Sequence, residues 1–196
     1  MKPRFSKIFL AIVLTPFILG ISFFAAEKIN SRDQKMNFIT DTRKNNNGVT
    51  YKGIKIDWTF CPDWKYKPLL FSAQEYLVFM FHYTNNNRRE VQLMPSYELV
   101  SNDEESYPAN EEISMYIEDR LEDELGVADE TSITFALEPG SVKHYIASFE
   151  RTSSLENFYV DVDLFRDVIL RIHYTKGGNL WINNKNEWVK KYKGRG

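Results

Sequence analysis

Cysteine is all but missing from this sequence: Cys61 is the only one in 196 residues. No disulfide can form within the chain, so the fold must stand on its core. In an exported protein a leftover cysteine is a buried thiol, an intermolecular bridge or a reactive site. The aromatic surroundings in "WTFCPDW" point to a buried thiol, because an unoxidised cysteine packs as a small hydrophobe. Histidine is scarce too, with His82, His144 and His173 alone. Glycine is modest, and its only adjacent pair, Gly177-Gly178, leads into no helix. That excludes the Gly-rich turns of phosphate cradles and dinucleotide folds. A net charge of −2 leaves no global basic field for nucleic acid.

Aromatic residues are plentiful, with 14 Phe and 11 Tyr making up most of the 15%. That is the composition of a folded chain. Behind an opening stretch of about 45 residues, roughly 150 remain, enough to bury a core without disulfides or metals. Charge is segregated along the chain. Glu98 to Glu130 holds 13 acids against one base, Arg120, whereas Arg171 to the end holds seven Lys or Arg against one acid, Glu187. Such asymmetry marks either docking surfaces or two solvated faces in weak attraction.

The longest uncharged run is at the start, "IFLAIVLTPFILGISFFAA", from Ile8 to Ala26. Its 19 residues would rise about 28 Å as a helix, close to the ~30 Å hydrocarbon thickness of a bilayer. A cleaved export signal has a shorter apolar region and a small-x-small exit. Here Phe23 or Phe24 would fill the position that demands a small residue, and no cysteine near the exit offers a site for lipid. Lys2, Arg4 and Lys7 set the N-terminus on the cytoplasmic side. The expectation is a retained signal-anchor in the inner or plasma membrane, residues 8–26, partnered by the lipid bilayer, with residues 1–7 cytoplasmic and the body of the chain extracytoplasmic. The alternative is secretion after cleavage. Residues 27–48, which carry "RKNNNG", read as a polar tether.

Period-2 patterns then begin. Ile54, Ile56, Trp58 and Phe60 alternate with polar residues in "IKIDWTF". "EYLVFMFHYT" is apolar without alternation and ends in an Asn-rich turn, as a central strand does. "SYELV" is followed by the turn "SNDEES". Ile133, Phe135 and Leu137 precede the Glu138-Pro139-Gly140 turn, and Tyr145, Ala147 and Phe149 follow it. "FYVDVD" sets Phe158, Val160 and Val162 on one face, and "VILRIHYT" aligns Val168, Leu170, Ile172 and Tyr174. "GGNLWINNKNEWVKKY" predicts a terminal hairpin turning at Asn183 to Asn186, or a strand with a frayed tail. One segment has helical period instead: Ile113, Ile117, Leu121 and Leu125 lie four apart among acids in "EEISMYIEDRLEDEL". Antiparallel strands with one inserted amphipathic helix make a sandwich or barrel.

Catalytic chemistry is hard to find. Cys61 with His82, His144 or His173 is the one nucleophile-and-base combination, and Pro62 follows the cysteine with no hydrolase signature. The same four residues would make a copper or zinc site only if the fold gathered them, since none shares a close ligand spacing. The acidic segment lacks the Asp/Asn-plus-Gly loop of a tight calcium site. "WVKKYKGRG" mixes Trp188 and Tyr192 with bases, as surfaces that dock on membranes or acidic partners do.

The order of "EYLVFMFHYTNN", "LMPSYELVSNDEESYPA", "LEPGSVKHYIASFE" and "FYVDVDLFRDVILRIHY" resembles exported or membrane-anchored bacterial immunoglobulin-like domains of unknown function, of the immunoprotective-antigen-like kind. The resemblance rests on Asn85-Asn86, on Leu137-Glu138-Pro139-Gly140 and on Phe149-Glu150, and covers about Tyr76 to Tyr174. The inserted acidic helix and the anchor in place of a lipid-bearing cysteine depart from the common pattern. The resemblance implies a mainly β, antiparallel immunoglobulin-like sandwich with a binding or accessory role and no catalytic residues. The resulting expectation has a sandwich at 49–183 and a basic tail at 184–196. It is non-catalytic, without cofactor or nucleic acid, and meets another protein through the sandwich, the acidic helix or the tail as a binding module or accessory subunit of a membrane complex. The alternative is a metal-handling or redox protein using Cys61 and the histidines.

Overall fold

The computed structural model describes residues 36, 38, 48–66, 73–125, 135–151 and 155–191. The expected anchor at 8–26 lies outside them, and among the described residues no helix is long and apolar enough to cross a membrane. The first strand, β1 (Val49–Tyr51), turns back through Lys52-Gly53 into β2 (Ile54–Tyr66). Both turn residues have positive φ, 48° and 76°, the left-handed pair whose twist suits a two-residue hairpin. Sequence reading starts at Ile54 and misses β1, because Lys-Gly is a weaker hairpin signal than Asn-Gly.

β3 (Gln74–Asn85) pairs along β2, and β8 (Val142–Glu150) pairs along β3, giving the sheet order β1-β2-β3-β8. The second sheet runs β11 (Leu180–Lys190), β10 (Val168–Gly177), β9 (Asn157–Asp163), β5 (Ser96–Ser101), β6 (Ser106–Pro108). Two short strands, β4 (Val91–Leu93) and β7 (Phe135–Leu137), pair with each other. Among the described residues every pairing is antiparallel. The described fold is therefore mainly β with antiparallel sheets and, among the described residues, one helix, α1 (Glu111–Leu125).

The two large sheets face each other across one core. Ile54, Ile56, Trp58 and Phe60 of β2 and Leu77, Phe79, Phe81 and Tyr83 of β3 meet Tyr97, Leu99, Phe158, Val160, Val162, Leu170, Ile172 and Tyr174 from the other sheet. Polar tips inside it are paired between sheets: Trp58 Nε1 donates to the Tyr174 hydroxyl at 3.1 Å, and the Tyr83 and Tyr97 hydroxyls lie 2.6 Å apart. The alternating positions in the sequence supply this core.

β3 lacks alternation because it is covered twice. Val78 and Met80 on its outer face join Cys61, Trp64, Tyr76, Ile146 and the helical Ile113 and Ile117 in a second cluster. Pro62 and Asp63 fall in a register break between Cys61 and Trp64. This extra length turns both Cys61 and Trp64 outward and accommodates a proline that cannot donate to the ladder. Helix α1 begins at Asn110, whose Oδ1 accepts the Ile113 N–H at 3.0 Å. The Asn110 N–H donates to Ser148 O at 2.8 Å, and the Ser148 N–H donates to Ser114 Oγ at 3.0 Å. The first turn of the helix thereby covers the outer edge of β8.

Three expectations change. Met36 and Phe38, within the stretch read as tether, pack against the second cluster. Asn183 to Asn186 make no hairpin turn; the turn is at Gly178-Asn179, with Gly178 at φ 67°, and the asparagines sit at a register shift opposite His173 and Tyr174. β11 thus continues to Lys190, so residues 184–190, read as tail, belong to the sheet, and Trp188 packs on the core. The expected turn at Glu138-Pro139-Gly140 does separate two strands, β7 and β8, with β7 paired to β4; Ile133 lies outside the described residues.

Candidate binding face

The residues singled out by chemistry lie in three places. Cys61 is 2% exposed in the second cluster and stands opposite Val78. His82 and His144 occupy one rung of β3 and β8, with Asp57 opposite His82 on β2. Cys61 is four residues along β2 from that rung, about 13 Å away at strand rise. His173 belongs to β10 in the other sheet. The fold does not gather Cys61 with the histidines, and among the described residues no three His, Cys, Asp or Glu side chains are grouped to hold a metal ion.

His82 and His144 do meet each other. Their Nδ1 atoms are in contact, with ring centroids 4.6 Å apart and planes at 87°. One ring donates and the other accepts, so the pair shares a single proton. Burial holds both imidazoles below their ordinary pKa; at His82 the His144 charge adds to this and Asp57 opposes it.

The most organised polar surface is the outer face of the five-stranded sheet. Alternation sends Tyr159, Asp161, Arg171 and His173 outward, and register lines them up as Glu98–Asp161–Arg171–Glu187 beside Val100–Tyr159–His173–Lys185. Arg171 Nε and an Nη donate to the two Asp161 oxygens at 2.8 and 2.7 Å, a bidentate fork that fixes the guanidinium plane. Its Cζ stands 3.9 Å from the Tyr159 ring centroid, within cation–π range. The Asp161 hydrogen bond raises the Arg171 pKa further. His173 Nε2 contacts Glu187 Oε1 at 2.9 Å, and Lys185 bonds the other Glu187 oxygen. The Glu187 carboxyl is held below its ordinary range, chiefly by Lys185 and then by His173.

Where β11 shifts register, the strand opens a cavity of about 380 Å³ beside this ladder, lined by Asn102, Asn157, Tyr159, His173, Asn184 and Lys185. Sequence reading puts Tyr159 on the face of its strand opposite the apolar one but reads Asn102, Asn184 and Lys185 as turn residues, and does not find the site. The signal present was the phase of "FYVDVD" and "VILRIHYT"; which outward residue meets which depends on pairing. At the other end of β10, Lys191 of the basic end bonds Asp163, and its N–H donates to Asp167 O at 3.0 Å.

No family model and no curated protein matches the chain. Two solved structures are similar over much of its length. One is a conserved hypothetical protein from Bacillus anthracis, with 12% identity and a TM-score of 0.43 over 76% of this chain and 95% of that one. The other is an X-ray structure of a Northeast Structural Genomics Consortium target, with 6% identity and a TM-score of 0.36 over 72% and 89%. At those TM-scores neither likeness carries an argument about what this chain does.

Proposed function

We propose that this chain is a non-catalytic, membrane-anchored extracytoplasmic module that binds another protein through the outer face of its five-stranded sheet, as a recognition domain or accessory subunit of a membrane complex. The observation that carries the reading is Arg171, forked onto Asp161 and laid over Tyr159 at the middle of that face. A pre-ordered Arg–Tyr pair loses little freedom on binding, and these two residue types dominate the energetic centres of interfaces.

The same reading makes the domain immunoglobulin-like. Assigning β2, β3 and β8 to strands A, B and E, and β5, β9 and β10 to C, F and G, gives the neighbours A-B-E and G-F-C, the wiring of that fold. β6 then takes the place of C′, and α1 and β7 fill the connection to E. The 8–26 segment would hold this domain at the membrane surface.

The test is purification of the full chain from native membranes with its bound proteins, beside Arg171→Ala and Tyr159→Ala. The expected result is one stoichiometric partner whose affinity falls at least about tenfold in each variant, while Glu111→Gln/Glu112→Gln on α1 leaves it unchanged. A partner indifferent to both ladder variants, or a chain that is always a lone monomer, overturns the reading.

A further inference from the structure

We propose that His82 and His144 form a chelating site for an imidazole-seeking divalent transition-metal ion of the zinc, copper or nickel class, with Asp57 as the charge beside it. The argument begins with register. His82 and His144 are directly opposite on adjacent antiparallel strands, so their Cβ atoms are about 4.5–5.5 Å apart. At that spacing two imidazoles reach one ion at nitrogen distances of about 2.0–2.1 Å. The Nδ1 atoms already converge on a single point between the strands, and the ion replaces the proton they share.

The surroundings fit a cation. Asp57 occupies the same rung on β2, on the same outer face, and Lys55 holds it at 2.7 Å. The rung Thr59–Met80–Ile146 closes one side with largely apolar groups, and Lys55–Thr84–Val142 bounds the other. His144 is exposed and His82 half-buried, so the site opens to solvent. Since no third His, Cys, Asp or Glu is grouped with them among the described residues, the protein supplies two nitrogens and water completes the coordination. Two neutral imidazoles select against calcium and magnesium, which take oxygen ligands. Cys61 takes no part, being buried at the far end of the same face.

The full chain, purified in detergent without a polyhistidine tag and stripped with chelator, is titrated with Cu²⁺ and Zn²⁺ by calorimetry. Electron paramagnetic resonance of the Cu²⁺ form counts its nitrogens. Expected are one ion per chain, two nitrogen donors, and a rise in Tm with Zn²⁺. His82→Gln and His144→Gln each weaken binding on the order of 10²-fold, the loss of an intramolecular second ligand. Asp57→Asn weakens it about tenfold, and His173→Gln has no effect. All of these side chains are at least partly solvent-facing, and circular dichroism checks that each variant folds. Unchanged affinity in the His82→Gln/His144→Gln variant, loss of binding in His173→Gln instead, or a copper spectrum without paired nitrogens overturns the proposal.

Discussion

Asn85 shows what a single amide can organise. It is fully buried, its Nδ2 donates to Arg89 O at 2.9 Å and Leu137 O at 2.7 Å, and its Oδ1 accepts the Asn87 N–H at 2.9 Å. Its main-chain oxygen takes the Gly140 N–H at 2.7 Å. The Asn-rich turn and the Leu-x-Pro-Gly turn, separate motifs in the sequence, are thus one structure in space. Replacing Asn85 with Ala should cost about 2–4 kcal/mol by stranding buried carbonyls. Asn85→Asp should cost more, since it turns an acceptor toward two carbonyl oxygens; urea denaturation of the two variants ranks them. Glu75 offers a pH test. Its carboxyl is held below its ordinary value first by the Lys65 hydrogen bond and further by the charges of Lys65 and Arg151, each 3.0 Å away. The unfolded chain takes up this proton first as pH falls, so the contribution is complete above the unfolded value near 4.5 and disappears as pH drops through the folded one. Glu75→Gln should remove that part of the acid slope in a stability–pH series, by a modest amount because the side chain is partly exposed and solvent screens its ion pairs.

At the scale of elements, α1 was legible and its task was not. The spacing of Ile113, Ile117 and Leu121 announces an amphipathic helix, and Ile113 and Ile117 are buried. Nothing local says that its first turn would close the outer edge of β8 through Asn110, Ser114 and Ser148. Asn110→Ala should cost about 1 kcal/mol as a lost cap. Hydrogen exchange should quicken at Ser148 and in the first turn of α1 while β9 and β10 stay protected; equal loosening everywhere would mean that the helix start is no edge cover. β11 teaches the converse lesson. Its asparagines carry turn propensity, yet the ladder with β10 holds them in a strand and absorbs the misfit as a register shift. Long-range hydrogen bonds outweigh local preference there.

At the scale of the whole molecule, the open question is how the β domain is held. If residues 8–26 are a retained anchor, intact mass measurement of the membrane-extracted protein should find the chain still carrying them, and an alkaline carbonate wash should leave it in the membrane fraction. A mature N-terminus at Glu27 or nearby would make it an exported, unanchored domain. Docking of Met36 and Phe38 on the second cluster shortens the reach between such an anchor and the sheets, since only the residues before Met36 remain to span the gap.

The sequence by itself determined the faces. Alternation of apolar and polar residues acts between positions two apart, so which side of a strand enters the core is written locally, as is the 3.6-residue stripe of α1. Only the tertiary structure decided the neighbours. The rungs Asp57–His82–His144 and Glu98–Asp161–Arg171–Glu187 each join three or four strands, and a one-residue slip in any pairing would dissolve them. Register comes from the burial of both sheets against one core, a property of the folded chain that no local stretch of it contains.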